Sequence, residues 1–276
     1  MTIATIPSSR PRLPVIITTI GLHLGVLLAL LPNNFSWGAV GVAFLLHFFT
    51  ISLGIALGFH RLASHRSLRV QKWLEYFLIL CGTLAGQGGV LGWVGYHRQH
   101  HRYTDQTQDP HNSTRGFWWS HISWLMHEVP SRSELPALTR DIATDKFYLF
   151  CHKHYIAMQL GLALVLYALG GMPFVVWGIF VRLFVGFHST CFVNSACHMV
   201  GYRSHETTDH STNCWWVAML TFGEGWHNNH HAYQASAQMG TQWWEVDITW
   251  QVIRLFQALG WANHVKTFKA AKSVRV

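Results

Sequence analysis

The 276-residue chain is short of charge. Asp, Glu, Lys and Arg make up 12 % of it, while 50 % is hydrophobic. A soluble domain carries about 25 % charged residues, so this deficit excludes an ordinary soluble domain and points to a membrane protein. No basic run interleaved with aromatics occurs, so the formal net charge of +8 is not a nucleic-acid footprint. There is no CxxC pair. Cys81, Cys151, Cys191, Cys197 and Cys214 form an odd set, mostly in apolar stretches. They read as small buried residues in a reducing compartment, not as disulfides or thiolate ligands. Internal repeats, low-complexity tracts and a second soluble domain are also missing. The one excess is histidine: twenty, as many as Lys and Arg together.

Residues 1–13 are polar and read as a flexible tail. The apolar runs 14–31 and 38–59 follow, separated by a short PNNFSW turn. Each approaches the ~20 residues that cross a ~30 Å hydrocarbon core. No small-x-small site follows the first run, which argues against a cleaved signal peptide. A second pair occupies 155–171 and 174–198, joined at Gly170-Gly171-Met172-Pro173, a turn signal. Residues 73–92 are apolar but interrupted by Glu75, Gln87 and glycines, and read as a buried or interfacial helix. Lys and Arg are segregated: two precede the first span, eleven lie in 60–154, six follow residue 198, and neither short turn has any. Only Arg182 falls inside a span. The bias places both termini and the middle loop on the cytoplasmic side of a plasma or thylakoid membrane. The expected architecture is all-α: four transmembrane helices in two hairpins, with a cytoplasmic helical cap from 60–154 and 199–276, all one domain over 14–276.

The histidines cluster on that basic side. GFHRLASH supplies His60 and His65; GYHRQHHR supplies His97, His100 and His101; GEGWHNNHHAYQ supplies His227, His230 and His231; NSACH adds His198. The second and third clusters share H-x-x-H-H, whose members project from one helix face. His60 and His65 lie about 140° apart on an α-helix, so they share a face only if the helix ends between them. His23, His47, His121, His127, His188 and His264 stand alone and read as hydrogen-bonded core residues. Nine clustered imidazoles beside membrane spans are costly to desolvate without a ligand, and a polyhistidine metal site explains them. Imidazole suits Zn, Cu, Fe and Ni, and nine ligands suit two ions. Soluble di-iron bundles use two Glu-x-x-His motifs; only Glu224 with His227 matches. HETTDH (205–210) falls short of the zincin motif because Asp209 stands in the place of the second His. GQGGVLG (86–92) lacks the third glycine of a dinucleotide fingerprint.

HRLASH, HRQHH and HNNHH, with NSACH before the last, resemble the histidine boxes of membrane fatty acid desaturases. DQTQDPHNSTRGFWWSHISWLM (105–126) is similar to the segment after the second box in the Δ9 branch. The resemblance covers roughly residues 40–245. It implies two irons and the insertion of a cis double bond into a saturated acyl chain with O₂ and two electrons. By motif, one iron takes His60, His65, His97, His101 and His230. The other takes His100, His198, His227 and His231, with Asn194 reaching it through water. Asp105, Asp109 and Glu224 are candidates for orienting the imidazoles. Gln87, Trp93 and Thr190 align with positions near the bend of an apolar substrate tunnel.

Acyl-CoA members carry Arg-Asp before the second box; here Gly95 and Tyr96 stand there. Together with HETTDHSTNCWW (205–216), that resembles the bacterial, cyanobacterial and plastid acyl-lipid branch, and implies acyl chains of membrane glycerolipids. No HPGG haem motif occurs, so electrons are expected from a separate carrier, ferredoxin rather than cytochrome b5, steered by the basic face. The rival readings are an acyl-CoA Δ9 desaturase or a fatty acyl hydroxylase on the same scaffold, a membrane metal-binding or transport protein, and a bis-histidine haem cytochrome. A transporter would line its spans with histidines; most of these sit at span ends and in the cap.

Overall fold

The structure, a computed structural model, describes residues 10–268. Helix α1 spans Leu13–Leu30 and α2 spans Trp37–Ser64. Helix α3 is Lys72–Thr83 and α4 is Val90–Tyr103. A long helical stretch with a kink, α5, runs Lys146–His198. The short helices α6 (Trp215–Leu220) and α7 (His227–Ala232) and the helix α8 (Ile248–Ala258) complete the cap. Helices α1, α2 and α5 are each long and apolar enough to cross a membrane. This is a mostly helical membrane protein with several apolar helices.

Local chemistry fixes the ends. The Ser36 hydroxyl accepts from the Ala39 N–H at 3.1 Å and starts α2, an N-cap. The Asp145 carboxylate accepts from the N–H of Phe147 at 2.8 Å and starts α5. That start lies nine residues before the apolar run at 155, because the cap supplies a polar first turn to the same helix. α5 breaks at Gly170 and Gly171, the latter at φ 65°, a conformation that favours glycine. The expected third and fourth runs are its two halves.

Three expectations need correction. Residues 73–92 are two elements, not one: α3 ends at Thr83 and α4 begins at Val90, and Gly86 and Gly88 between them adopt positive φ. The chain is not purely α: β1 (Arg69–Val70) pairs antiparallel with β2 (Ala262–Asn263) and ties the end of the described chain to the first histidine box. Of the expected flexible tail over 1–13, residues 1–9 lie outside the described residues. Residues 10–12 are held: the Arg12 N–H donates to Met126 O at 2.7 Å and the Glu128 N–H donates to Arg10 O at 2.9 Å.

α2 and α3 are in near backbone contact. A Cβ on Gly54 would lie 2.3 Å from Gly82 N, and one on Gly58 would lie 2.8 Å from Leu78 O. Arg182, buried in the second half of α5, donates to the carbonyls of Gly178 and Leu84 at 2.6 and 2.8 Å. Its N–H donors thus find acceptors inside the helix packing.

Candidate metal centre

The lower part of α2 winds with i→i+5 hydrogen bonding, and the His65 N–H donates to His60 O at 3.1 Å. That wider turn stacks residues five apart, where an α-helix would splay them. The helix also ends at Ser64. Both features bring the His60 and His65 rings to a centroid separation of 4.8 Å. On α4, His97, His100 and His101 follow the i, i+3, i+4 spacing. On α7, His227, His230 and His231 do the same. His198 closes α5.

These elements gather nine imidazoles into two groups. His60, His65, His97, His101 and His230 form one; His100, His198, His227 and His231 form the other. Within each, one nitrogen per ring lies within 4.8 Å of all the others. The Nε2 atoms face one another: His60–His230 at 3.1 Å, His65–His97 at 2.7 Å and His101–His230 at 2.8 Å in the first. In the second, His198–His227 are at 3.1 Å and His100–His231 at 3.3 Å.

The outward nitrogens explain why. His100 Nδ1 donates to Asp109 Oδ2 at 2.9 Å, and His231 Nδ1 donates to Asp209 Oδ2 at 2.9 Å. His198 Nδ1 donates to Asp105 Oδ2 at 3.2 Å, and His60 Nδ1 donates to Glu224. A carboxylate on Nδ1 fixes the tautomer and leaves a bare lone pair on Nε2. His100 and His231 therefore point two lone pairs at each other in a buried place. That arrangement is repulsive unless a cation lies between them, so the donor set fits metal ions. Burial, then neighbouring imidazoles, holds His65, His97, His100, His101, His227 and His230 well below the usual histidine range, so these rings are neutral and free to offer a lone pair.

Glu224 is positioned by Arg61, which is fully buried. The guanidinium donates to Glu224 Oε1 at 2.8 Å and to Asp247 Oδ1 at 3.0 Å. Against the cost of burial, His60 and Arg61 hold the Glu224 carboxyl below its usual range. The flanking glycines permit this approach. A Cβ on Gly223, at φ 125°, would meet Asp247 Oδ1 at 2.4 Å, and one on Gly225 would meet Ala218 N at 2.1 Å. In HNNHH the asparagines anchor the cap. Asn228 Oδ1 accepts from the N–H groups of Ser204 and His205, both at 2.8 Å, and Asn229 Nδ2 donates to Glu245 at 2.9 Å.

Gln87, Trp93 and Thr190 form one chain. Trp93 Nε1 donates to Gln87 Oε1 at 3.2 Å, and Gln87 Nε2 donates to Thr190 Oγ1 at 2.8 Å. Trp93 stacks on His97 at 5.2 Å. Asn194 is half-buried at the end of the α5 helix, before His198. Gly95 and Tyr96 face apolar neighbours: a Cβ on Gly95 would lie 3.1 Å from Leu135, and Tyr96 meets Trp124 edge-on at 5.5 Å.

Sequence reasoning missed Asp209, Arg61, Asp247 and His111, which packs at 4.2 Å from the His100 ring. Asp209 was visible only as a failed zincin motif. Three solitary histidines also proved connected: His23 Nε2 meets His188 Nε2 at 3.0 Å, and His188 Nδ1 meets His121 Nε2 at 3.0 Å.

Two clusters of imidazoles, carried by the ends of two apolar helices and by the cap helices, each ring steered by a carboxylate or packed by another ring, mark a membrane protein whose histidine groups fit metal ions. The chain belongs to the fatty acid desaturase family, whose sequence profile matches residues 35–265, and it is an oxidoreductase. It is 58 % identical over 270 residues to the sn-1 stearoyl-lipid 9-desaturase of Synechocystis sp., covering 96 % of this chain and 85 % of that one. It is 56 % identical to the Anabaena variabilis protein of the same name, covering 96 % and 98 %. An sn-2 palmitoyl-lipid 9-desaturase of Nostoc sp. is 48 % identical, covering 86 % and 85 %.

Proposed function

We propose that this chain inserts a cis double bond at C9 of stearoyl chains esterified at the sn-1 position of membrane glycerolipids. Overall, –CH₂–CH₂–, O₂, two electrons and two protons become –CH=CH– and two waters. The observation that carries the metal assignment is the pair of histidine groups with inward lone pairs. The similarity to the two stearoyl-lipid enzymes supports the substrate.

His60, His65, His97, His101 and His230 would hold one iron; His100, His198, His227 and His231 would hold the other, with Asn194 reaching it through water. When bound, the iron pair would supply the two-electron activation of O₂ that an unactivated CH₂ requires. Glu224, Asp109, Asp105 and Asp209 each keep a proton on Nδ1 of one ligand and so present Nε2 inward. The Trp93–Gln87–Thr190 chain braces the wall beside His97, and this supports a substrate channel there. Position along the acyl chain depends on such bracing, since small displacements of the reacting carbon cost rate steeply. Gly95 and Tyr96, packed on apolar neighbours, supply no charge pair of their own for a CoA headgroup. Electrons come from a separate carrier, ferredoxin in preference to cytochrome b5. The two halves of α5 with α1 and α2 make four crossings, with the cap on the cytoplasmic side.

The test is mass spectrometry of intact lipids from a host expressing this chain with a ferredoxin. Loss of two hydrogens at C9–C10 of the sn-1 chain is expected. Gain of one oxygen would make the enzyme a hydroxylase, and desaturation confined to acyl-CoA would overturn the lipid assignment.

A further inference from the structure

The HETTDH segment, 205–210, has no part in the zincin motif it resembles. In the fold it is a strap over the histidine groups. Beneath it lies a cavity of about 360 Å³. Its wall includes His205, Glu206, Thr208 and Asp209 of the strap, and it also includes His101 and His231. One ring from each histidine group thus borders the same polar opening. Glu206 and Thr208 are exposed at the strap, and His205 is half-buried. Arg102, the one Lys or Arg of this lining, is 3.9 Å from Glu134, so its charge is offset.

His101 differs from the ligands with carboxylate partners. Its Nδ1 is buried and has no hydrogen-bond partner among the described residues. The carboxylates on His60, His100, His198 and His231 lock those rings; no carboxylate holds His101 Nδ1. The cavity therefore ends at a ring that no carboxylate holds.

We propose that this strap and cavity are the loading port through which divalent iron enters from water, captured first by Glu206 and His205 and passed inward beside His101. The inference rests on the two-iron reading above. Carboxylate and imidazole oxygen and nitrogen donors are the ligands Fe²⁺ accepts, and a carboxylate at the mouth of a cleft raises local cation concentration. A port differs from a ligand in its kinetic signature. It speeds entry and exit together and leaves final occupancy unchanged.

The test is anaerobic Fe²⁺ uptake by the purified, metal-free full chain in detergent, read as bound iron against time and at saturation, without turnover. Glu206→Lys should slow uptake by about tenfold at low salt, slow iron loss to a chelator in the same proportion, and leave two irons bound at saturation. Thr208→Trp, which fills the rim without touching a ligand, should slow both rates as well. Unchanged uptake rates in both variants would overturn the port. A lowered final iron count in Glu206→Lys would also overturn it, by making Glu206 part of the site. If the unaltered chain itself fails to take up two irons, the two-iron reading fails, not the port alone.

Discussion

At the scale of single residues, ligand and carboxylate partner should be separable by the size of their effects. His230 meets both His60 and His101 through Nε2, so His230→Ala removes a donor central to its group. Desaturation should be abolished while the protein still inserts; retained turnover would contradict the ligand role. Asp209→Asn keeps an acceptor oxygen near His231 Nδ1 but removes the charge. Iron affinity in that group should fall about 10–100-fold, measured by titration of the metal-free protein, with insertion unaffected. Six of the nine histidines were legible because H-x-x-H-H is a helix-face pattern; His60, His65 and His198 were legible by their place beside the apolar runs. Asp209 and Asp247 were not, because their partners are 22 and 186 positions away in the chain and no local periodicity connects them.

The same cluster sets a pH dependence in the metal-free state. Burial keeps His65, His97, His100, His101, His227 and His230 neutral in the fold well below the ordinary value, and drops His111 to about 3. In the unfolded chain they titrate near about 6.5. Below that pH the unfolded state binds more protons than the folded one, so stability falls as pH falls. The metal-free protein should therefore lose thermal midpoint steadily on acidification from about pH 7 to about pH 5. The depressed carboxylates Asp105, Asp209 and Glu224 add a further loss only below about pH 4. A midpoint independent of pH across the first window would mean that these rings are not buried in the metal-free state.

At the scale of elements, apolar length and turn residues made the long helices readable, and Gly170-Gly171 marked the break in α5. The winding of α2 was not readable. Composition carries no sign of an i→i+5 ladder, and it is the close packing of α2 on α3 that accompanies it. Gly54 and Gly58 let the two backbones meet. Gly54→Val would drive a branched side chain into the Cys81–Gly82 backbone, which side-chain rotation cannot relieve. Overpacking of this kind costs about 1–3 kcal/mol or more. The variant should show a lower thermal midpoint and a diminished iron count, because α2 positions His60 and α3 leads into the α4 box. Gly41, where an added Cβ would meet nothing within 4 Å, is the control: Gly41→Ala should leave both unchanged.

At the scale of the whole molecule, the arrangement in the membrane follows from charge and length together. α1 offers 18 residues, about 27 Å of helix at 1.5 Å per residue, and carries no Lys or Arg. The turn after it is uncharged, whereas 17 of the 20 Lys and Arg lie in 60–154 or beyond 198. The proposed two hairpins entering from one side would satisfy this bias and would leave His60, His97, His198 and His227 on one face. An odd number of crossings between α2 and the end of α5 would put the first and last boxes on opposite sides and split the site. Single-cysteine labelling checks this. The five native cysteines are buried, so an added thiol dominates the signal. In sealed vesicles, Thr208→Cys on the exposed strap should react with an impermeant maleimide only from the cytoplasmic face, and Asn33→Cys only from the opposite face. Reaction of both from the same face would leave α1 and α2 unable to act as a crossing pair, and the two-hairpin arrangement would fall with it.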